Sequence, residues 1–224
     1  VVGCYAQLRH SELIKMPGVS IVLNNTEKYR LAEIVEKTSG SLSGYQPCYH
    51  ENGKGFNTDH DFHPSWSDES RTRTFLKIQD GCNHFCTYCA IPYARGRSRS
   101  ATISQVLESV ETIVAAGTRA MVFTGVNIGD YGKPNGQSFF ELLQSLQQAV
   151  HPPRIRISSI EPELLTDQII QLVALSDCFM PHFHLPLQSG SDAVLKAMKR
   201  KYDKSLFANR VATIKKHIPD ACIA

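Results

Sequence analysis

Residues 80–100 read Asp-Gly-Cys-Asn-His-Phe-Cys-Thr-Tyr-Cys-Ala-Ile-Pro-Tyr-Ala-Arg-Gly-Arg-Ser-Arg-Ser, directly after a β-like segment, Thr74–Gln79. Cys82, Cys86 and Cys89 stand in this stretch at C-x3-C-x2-C spacing. Three thiolates on one tight loop can hold three corners of an iron–sulfur cube and leave one iron without a protein ligand. The stretch therefore predicts a cluster with an iron that is open to a substrate or cofactor.

A structural zinc site is the alternative interpretation of the same loop. Zinc in such sites takes four ligands in a tetrahedron, and His84 is a further ligand type inside the loop. His84 lies between two of the cysteines, so the backbone of the loop would be strained if His84 and the cysteines all bound a single ion. We therefore favour the cluster and keep the zinc site as its alternative.

The composition indicates a folded chain with reduced thiols. Its 224 residues are 42% hydrophobic, which is enough to bury a core. Seven cysteines, an odd number with three at metal-ligand spacing, argue against a disulfide framework and for a cytoplasmic protein. No segment approaches the roughly 20 apolar residues of a membrane span, so we expect no membrane partner. Residues Val1–Gln7 include no initiator Met and no charged leader, so we expect them to come from the interior of a longer chain.

Hydrophobic patterns divide the chain into three parts. Residues 1–37 predict strand, helix, strand and helix, as the tail of a small α/β domain. Residues 38–70 show neither the hydrophobic periodicity of a helix nor that of a strand. They are rich in Ser, Gly, Asn and Asp, which predicts a linker. From residue 71 to 224, alternating segments predict parallel strands with helices packed outside them. The predicted strands are 74–79, 119–124, 154–159, 179–185 and 221–224, and the predicted helices are 103–116, 139–150, 167–175, one from 192, and 204–217.

Polar side chains follow the predicted strands. In parallel β/α folds the active site lies at the carboxyl ends of the strands, so residues at these positions are candidates for binding. Asn127 follows the second strand, Glu161 the third, and Gln188 and Ser189 the fourth. A turn built from turn-forming residues is the alternative for the segment around Asn127. We predict that these four side chains contact a cofactor or a substrate.

Two phrases of the sequence resemble a known family. They are Gly81-Cys-Asn-His-Phe-Cys-Thr-Tyr-Cys-Ala-Ile-Pro-Tyr-Ala-Arg-Gly-Arg-Ser-Arg-Ser100 and His184-Leu-Pro-Leu-Gln-Ser-Gly-Ser-Asp-Ala-Val-Leu-Lys-Ala-Met-Lys-Arg200. With them the chain resembles the radical S-adenosylmethionine (SAM) methylthiotransferases over essentially its whole length. Pro92–Ser100 and Ser158–Pro162 are most similar to the branch that modifies threonylcarbamoyladenosine in tRNA. The resemblance implies an α/β fold: a truncated, partial (β/α) barrel at 71–224, incomplete at its carboxy end and preceded by the end of the family's small α/β amino-terminal domain.

The resemblance also implies two iron–sulfur clusters. Cys82, Cys86 and Cys89 would bind a [4Fe–4S] cluster whose open iron is chelated by SAM, and reduction would cleave SAM to methionine and a deoxyadenosyl radical. Gly3–Gln7 matches the phrase around the last of three separated cysteines that bind an auxiliary [4Fe–4S] cluster in this family. Cys4 is therefore predicted as a ligand, with two more cysteines expected upstream. Without the resemblance, Cys4 would be interpreted as a buried small hydrophobe.

The implied activity is transfer of a methylthio group to C2 of N6-threonylcarbamoyladenosine beside the anticodon of tRNA. Arg95, Arg97 and Arg99 alternate just after the cysteine loop, and we predict that they project together and contact the phosphates of the anticodon loop. The reaction would need an electron donor such as a flavodoxin or ferredoxin. Alternatives are the isopentenyladenosine branch, the branch that modifies a ribosomal-protein aspartate, and a non-catalytic metal-binding protein that binds RNA.

Overall fold

A computed structural model describes residues 1–38, 62–67, 73–148 and 154–224. Contacts within the chain define two compact units. The smaller unit comprises Val1–His60 with Cys89–Arg97, and the larger one comprises Asp61–Tyr88 with Ser98–Ala224. Most of the predicted linker 38–70 lies outside the described residues, and the domain boundaries at its ends stay predictions. Its described part includes a short strand, β1 (Ser65–Trp66).

The smaller unit is built from short helices around a small apolar core. Its helices are α1 (Cys4–Leu8), α2 (His10–Leu13), α3 (Leu31–Thr38) and α4 (Ile91–Arg95). Ala6, Leu13 and Val22 form the buried core. The two strands predicted here are reduced to one parallel bridge between Val2 and Leu23. Gly3 explains the difference, since its φ of 119° turns the chain out of the extended conformation and α1 begins at the next residue.

The larger unit contains the predicted alternation of strands and helices. Its main sheet has the order β1-β2-β5-β6, with β2 at Arg73–Lys77, β5 at Ala120–Thr124 and β6 at Arg154–Ile157. The pairs β2·β5 and β5·β6 are parallel, whereas β1 adds to the edge in the antiparallel sense. The helices α5 (Ile103–Ala115) and α6 (Phe139–Gln148) follow β2 and β5 in the chain. These bounds differ from the predicted ones by at most a few residues.

The second half of this unit continues the same pattern. Strand β7 (His182–Phe183) pairs in parallel with β8 (Cys222–Ile223), and the bridges Ile155↔Phe179 and Ser159↔His184 connect β6 to the β7 segment. The helices are α7 (Asp167–Leu175), α8 (Asp192–Ala197) and α9 (Lys204–His217). Thr166 and Asp203 cap α7 and α9 by accepting hydrogen bonds from backbone N–H groups. The parallel order predicted from the sequence is confirmed.

One large apolar cluster lies between the sheet and the helices of this unit. Its fully buried members include side chains from β5, α6 and β6: Phe123, Leu142, Leu143, Leu146 and Ile155. The three leucines recur at helical spacing, so α6 presents one apolar face to the strands. This core fixes the strands, and therefore the positions of the loops at their carboxyl ends. Among the described residues, no helix has the length and apolar character needed to cross a bilayer.

Gly129 allows the loop after β5 to pack closely on the segment after β6. A Cβ atom at this position would lie 2.5 Å from Leu164 Cβ and 3.1 Å from Ile160 Cγ1. We expect Gly129→Ala to lower the free energy of unfolding by about 1–3 kcal/mol, because neither neighbour can give way by rotating a flexible end. The urea midpoint measures this change.

Gly190→Ala is the matched control. Apart from its two neighbours in the chain, no described residue has an atom within 4 Å of the added Cβ at Gly190. The free energy of unfolding should therefore stay within about 0.5 kcal/mol of that of the parent protein. Equal urea midpoints for Gly129→Ala and the parent would contradict the close packing described here.

Candidate metal centre

A small antiparallel ribbon closes the base of the cysteine loop. Strand β3 (Gln79–Asp80) pairs with β4 (Arg99–Ser100). Arg99 donates a hydrogen bond to Asp80 at 3.1 Å, and the two side chains are 8% and 5% exposed. A contact between Arg99 and RNA phosphates would leave the buried Asp80 carboxylate unpaired, and the predicted contact stays a prediction.

Gln79 connects the cysteine loop to the loop that follows β5. Its amide nitrogen donates to Gly81 O at 2.8 Å and to Ser98 Oγ at 2.9 Å. Its amide oxygen accepts hydrogen bonds from the backbone N–H groups of Val126 and Asn127, at 2.8 and 2.9 Å. One fully buried side chain therefore positions two of the loops in which functional residues were predicted.

The sulfurs of Cys82 and Cys86 are buried and each accepts a hydrogen bond. The backbone N–H of His84 donates to Cys82 Sγ at 3.3 Å, and Arg200 Nη1 donates to Cys86 Sγ at 3.3 Å. Donors directed at a cysteine sulfur stabilise its thiolate, which is the form that binds metal. Cys89 begins the segment assigned to the smaller unit, so its place beside the other two rests on the sequence spacing.

His84 lies in the cysteine loop between two carboxylates. Its Nδ1 is 3.6 Å from Glu163 Oε1, and its Nε2 is 4.0 Å from Asp130 Oδ2. Burial lowers the pKa of His84, the charge of Lys201 lowers it further, and Asp130 opposes both effects. Since both ring nitrogens lie near carboxylates, the surroundings of His84 give no support to its role as a fourth zinc ligand.

The arrangement of the thiols suits a cluster better than a single metal ion. Within the described ranges, no three His, Cys, Asp or Glu side chains are gathered around the position of a single metal ion. In a [4Fe–4S] cube each thiolate binds a different iron, so the sulfurs need not converge on one point. Soft thiolate ligands with hydrogen-bond donors beside them are the donor set that such clusters take. The residues present therefore fit an iron–sulfur cluster.

Buried hydrogen-bond acceptors without a donor lie close to the cysteine loop. Asn127 Nδ2 donates to Asp130 Oδ2 at 3.0 Å, which leaves Asn127 Oδ1 buried with no partner among the described residues. Both carboxylate oxygens of Glu163 are likewise buried without a hydrogen bond from the described part of the chain, and burial raises the pKa of Glu163. Buried polar atoms are normally satisfied, so such a group of acceptors indicates a place for a donor-bearing ligand.

Glu161, predicted as a contact for cofactor or substrate, forms a partly buried ion pair with Arg200. Burial raises the pKa of Glu161, and the guanidinium opposes the rise. Arg200 and Glu163 were missed by the sequence reasoning. Glu163 could have been found as the second glutamate of the same strand-end segment, whereas Arg200 stood within a basic run whose simplest interpretation is a solvated surface.

Gln188 and Ser189 lie in a turn after β7. Gln188 is exposed and has a φ of 60°, in the left-handed region that non-glycine residues seldom adopt. The turn is held by Tyr202, whose hydroxyl donates to the carbonyl oxygens of Pro186 and Leu187. No hydrogen bond described in the structure joins Gln188 or Ser189 to the buried acceptors, so their predicted contact with a cofactor or substrate stays a prediction.

Cys4 and Arg95 contact each other in the smaller unit. Helix α1, which begins at Cys4, packs against α4, which ends at Arg95, and Arg95 Nε donates to Cys4 Sγ at 3.4 Å. Arg95 is partly buried and Arg97 is exposed. With Arg99 buried as well, the three arginines have different surroundings, and only Arg97 among them is largely accessible to an RNA backbone.

Comparison with known proteins identifies the family. The model of the radical SAM superfamily matches residues 76–224. The chain is 37% identical over 235 residues to threonylcarbamoyladenosine tRNA methylthiotransferase MtaB of Bacillus subtilis, covering 100% of this chain and 49% of that protein. It is 34% identical over 228 residues to the tRNA-2-methylthio-N(6)-dimethylallyladenosine synthase of Fusobacterium nucleatum, covering 100% of this chain and 51% of that one. The chain thus spans about half the length of the curated relatives it matches.

Solved structures agree on the fold. The radical SAM methyltransferase TsrM from Kitasatospora setae has a TM-score of 0.52 at 14% identity, over 64% of this chain and 28% of that one. The cobalamin-dependent radical SAM enzyme OxsB has a TM-score of 0.52 at 12% identity, over 63% of this chain and 22% of that one. The predicted partial radical SAM fold and the resemblance to methylthiotransferases are both confirmed. The chain belongs to the radical SAM superfamily.

Proposed function

We propose that this chain is the radical-generating part of a tRNA methylthiotransferase that adds a methylthio group to C2 of N6-threonylcarbamoyladenosine beside the anticodon. The observation that carries the proposal is the C-x3-C-x2-C loop at a strand end, where the sulfurs of Cys82 and Cys86 are buried and hydrogen-bonded. The choice of base is supported by the relatives from Bacillus subtilis and Thermotoga maritima, which are both 37% identical and named for threonylcarbamoyladenosine.

Cys82, Cys86 and Cys89 would hold a [4Fe–4S] cluster with one iron left for SAM. When bound, this cluster supplies an electron for the reductive cleavage of SAM to methionine and a deoxyadenosyl radical. The chain's own residues bind and orient the reactants. SAM carries an ammonium group and ribose hydroxyls, and these donors would pair with Asn127 Oδ1 and the Glu163 carboxylate, which accept no hydrogen bond from the described residues.

The neighbouring residues keep this site ordered and dry. Gln79 fixes the loop that carries Asn127, and the Glu161–Arg200 pair joins the segment after β6 to the segment after α8. Exclusion of water strengthens the electrostatic interactions within the site and protects a reactive radical from side reactions. A base in a single-stranded anticodon loop can be turned out of its stack at little cost, so the target adenosine can reach such a site.

The remaining assignments extend the proposal to the whole protein. Cys4 would bind an auxiliary [4Fe–4S] cluster, and Gln188 and Ser189 would contact SAM or substrate. Arg97, with Arg95 nearby in sequence, would contact the anticodon loop of tRNA. A flavodoxin or ferredoxin in the cytoplasm would supply the electron.

Modification of dimethylallyladenosine is the second candidate function. It is favoured by the relatives from Fusobacterium nucleatum and Bacteroides thetaiotaomicron, which are 34% and 33% identical and named for that nucleoside. These identities lie close to those of the threonylcarbamoyladenosine relatives, so the substrate is decided by experiment. A ribosomal-protein substrate is the third candidate, and a parallel assay with ribosomal protein in place of tRNA tests it.

The function is tested with the full-length protein, reconstituted anaerobically and given SAM, a reductant and tRNA that carries either modified adenosine. Mass spectrometry of the nucleosides should show a methylthio group on threonylcarbamoyladenosine. Cys82→Ala should form neither deoxyadenosine nor product, because two thiolates cannot fix the cube.

Cys178→Ala is the matched control for this assay, since Cys178 is also buried but lies outside the cysteine loop. It should retain about four irons in the catalytic cluster and full activity. If Cys82→Ala formed deoxyadenosine at the normal rate, the assignment of Cys82 as a cluster ligand would be wrong. Product only on dimethylallyladenosine, or only on a ribosomal protein, would overturn the proposed substrate and leave the cluster intact.

Cys4→Ala should separate the two halves of the reaction. If Cys4 binds an auxiliary cluster, the variant of the full-length protein should still cleave SAM to deoxyadenosine, because the radical-generating cluster is untouched. It should form no methylthiolated tRNA. Near-normal yield of methylthiolated tRNA, with a small loss of stability, would show instead that Cys4 is only a packing residue.

Arg97→Gln should weaken tRNA binding and reduce its salt dependence. Each lost phosphate contact removes released counterions, so the slope of log K against log salt should become less negative by about 0.7 to 0.9. Arg119→Gln is the control, because Arg119 is exposed and precedes β5 at the amino-terminal edge of the sheet. A salt series of binding measurements in which the two variants show the same slope as the parent would exclude Arg97 from the RNA contact.

A further inference from the structure

We infer that Arg200 is a positioning residue that sets the reduction potential of the cluster through its hydrogen bond to Cys86. The inference rests on the proposed function, since it requires that Cys86 binds iron. It goes beyond that function because it assigns the tuning of the reduction potential to Arg200, which lies 114 positions from Cys86 in the sequence. Hydrogen bonds to cluster sulfurs, and charges near them, are among the features that set such potentials.

Arg200 is almost completely buried and uses both of its terminal nitrogens. Its side chain is 4% exposed. Nη1 donates to Cys86 Sγ at 3.3 Å and approaches Tyr88 Oη at 3.4 Å, while Nη2 donates to Glu161. The guanidinium also lies 5.0 Å from the centre of the Tyr202 ring. Its position is therefore defined from several sides.

The backbone also directs Arg200 toward the cysteine loop. After α8 the chain forms a Schellman motif, in which Lys199 N donates to Lys196 O and Arg200 N donates to Leu195 O. Lys199 occupies the left-handed position of this motif with a φ of 59°, a conformation that costs a non-glycine residue about 1–2 kcal/mol. Such local strain persists when surrounding contacts hold it in place.

A second contact joins the end of α8 to the cysteine loop. Thr87 N, next to Cys86 in the chain, donates to Met198 O at 3.3 Å. The loop and the segment that carries Arg200 are thus connected through both backbone and side chain. Arg200 is therefore held against the Cys86 sulfur.

The charge of Arg200 determines the direction of its effect. A guanidinium is not deprotonated in proteins, and Glu161 lies against Arg200 as its counter-charge, so Arg200 stays cationic. One-electron reduction by a donor such as flavodoxin, or by dithionite in a test, adds one negative charge to the cluster. A buried cation beside a cluster sulfur stabilises that added charge and raises the potential, and the Glu161 carboxylate partly cancels the effect.

Two variants should therefore shift the potential in opposite directions. Arg200→Gln removes the positive charge and leaves Glu161, so the ratio of reduced to oxidised cluster at a fixed potential should fall about tenfold. That change corresponds to 59 mV for a one-electron couple. Glu161→Gln leaves Arg200 without its counter-charge, so the same ratio should rise. A purely structural ion pair would lose stability in both variants with no such opposite shifts.

The experiment is an anaerobic redox titration of the reconstituted full-length protein, followed by electron paramagnetic resonance of the reduced cluster. The signal that changes on addition of SAM identifies the cluster under study. Arg210→Gln is the matched control, because Arg210 also pairs with a carboxylate, Asp167, and donates no hydrogen bond to a cysteine among the described residues. Iron content is measured for each variant to show that the cluster is retained.

Opposite shifts for Arg200→Gln and Glu161→Gln, with none for Arg210→Gln, support the inference. Unchanged potentials in variants that hold the cluster overturn it while leaving the proposed function in place. If Arg200→Gln fails to hold iron, Glu161→Gln alone decides by the sign of its shift. A parent protein that binds no SAM-sensitive cluster overturns the proposed function itself, and the inference with it.

Discussion

The hydrogen bonds of the Gln79 side chain are the constraint on which the rest of the site depends. A glutamine amide offers both donors and an acceptor, and here the donors serve the cysteine loop while the oxygen serves the loop after β5. Gln79 is 1% exposed, so a residue without this double capacity would leave buried backbone groups unpaired, at about 1–3 kcal/mol each. The geometry of two strand ends is thus fixed by one side chain, and Gly125 belongs to the same constraint because a Cβ there would lie 2.8 Å from the Gln79 amide oxygen.

The fold could be predicted from the sequence because its signals are local. Leu142, Leu143 and Leu146 recur at helical spacing, and short apolar segments separate the helices, so the alternation and the parallel order follow directly. Parallel strands end at one edge of a sheet, and for this reason we chose Asn127 and Glu161 as candidates. In the structure Asn127 lies near the cysteine loop. Glu161 pairs with Arg200, which contacts Cys86. The prediction of two strands in the amino-terminal part was wrong for an equally local reason, which is the backbone turn at Gly3.

The rest of the site depends on contacts between distant parts of the chain, which no local pattern encodes. Arg99 was expected to contact phosphates because it alternates with other arginines, yet the pairing of β3 with β4 places it against Asp80. Arg200 was missed because it stands in a basic run that is typical of a solvated surface, yet the motif at the end of α8 turns it inward to Cys86. Both residues show that tertiary structure decides which charge a guanidinium meets.

The charges around the cysteine loop would be a poor solution if stability alone were selected. The carboxylate oxygens of Glu163 accept no hydrogen bond from the described residues, and Glu161 forms a partly buried ion pair with Arg200. Taking charged groups out of water costs free energy that can exceed the gain from pairing them, so these groups are weak evidence for stability. Residues whose burial costs folding free energy in this way are found preferentially at functional sites. A bound, donor-bearing cofactor would satisfy these same acceptors, and its binding would thereby order this site.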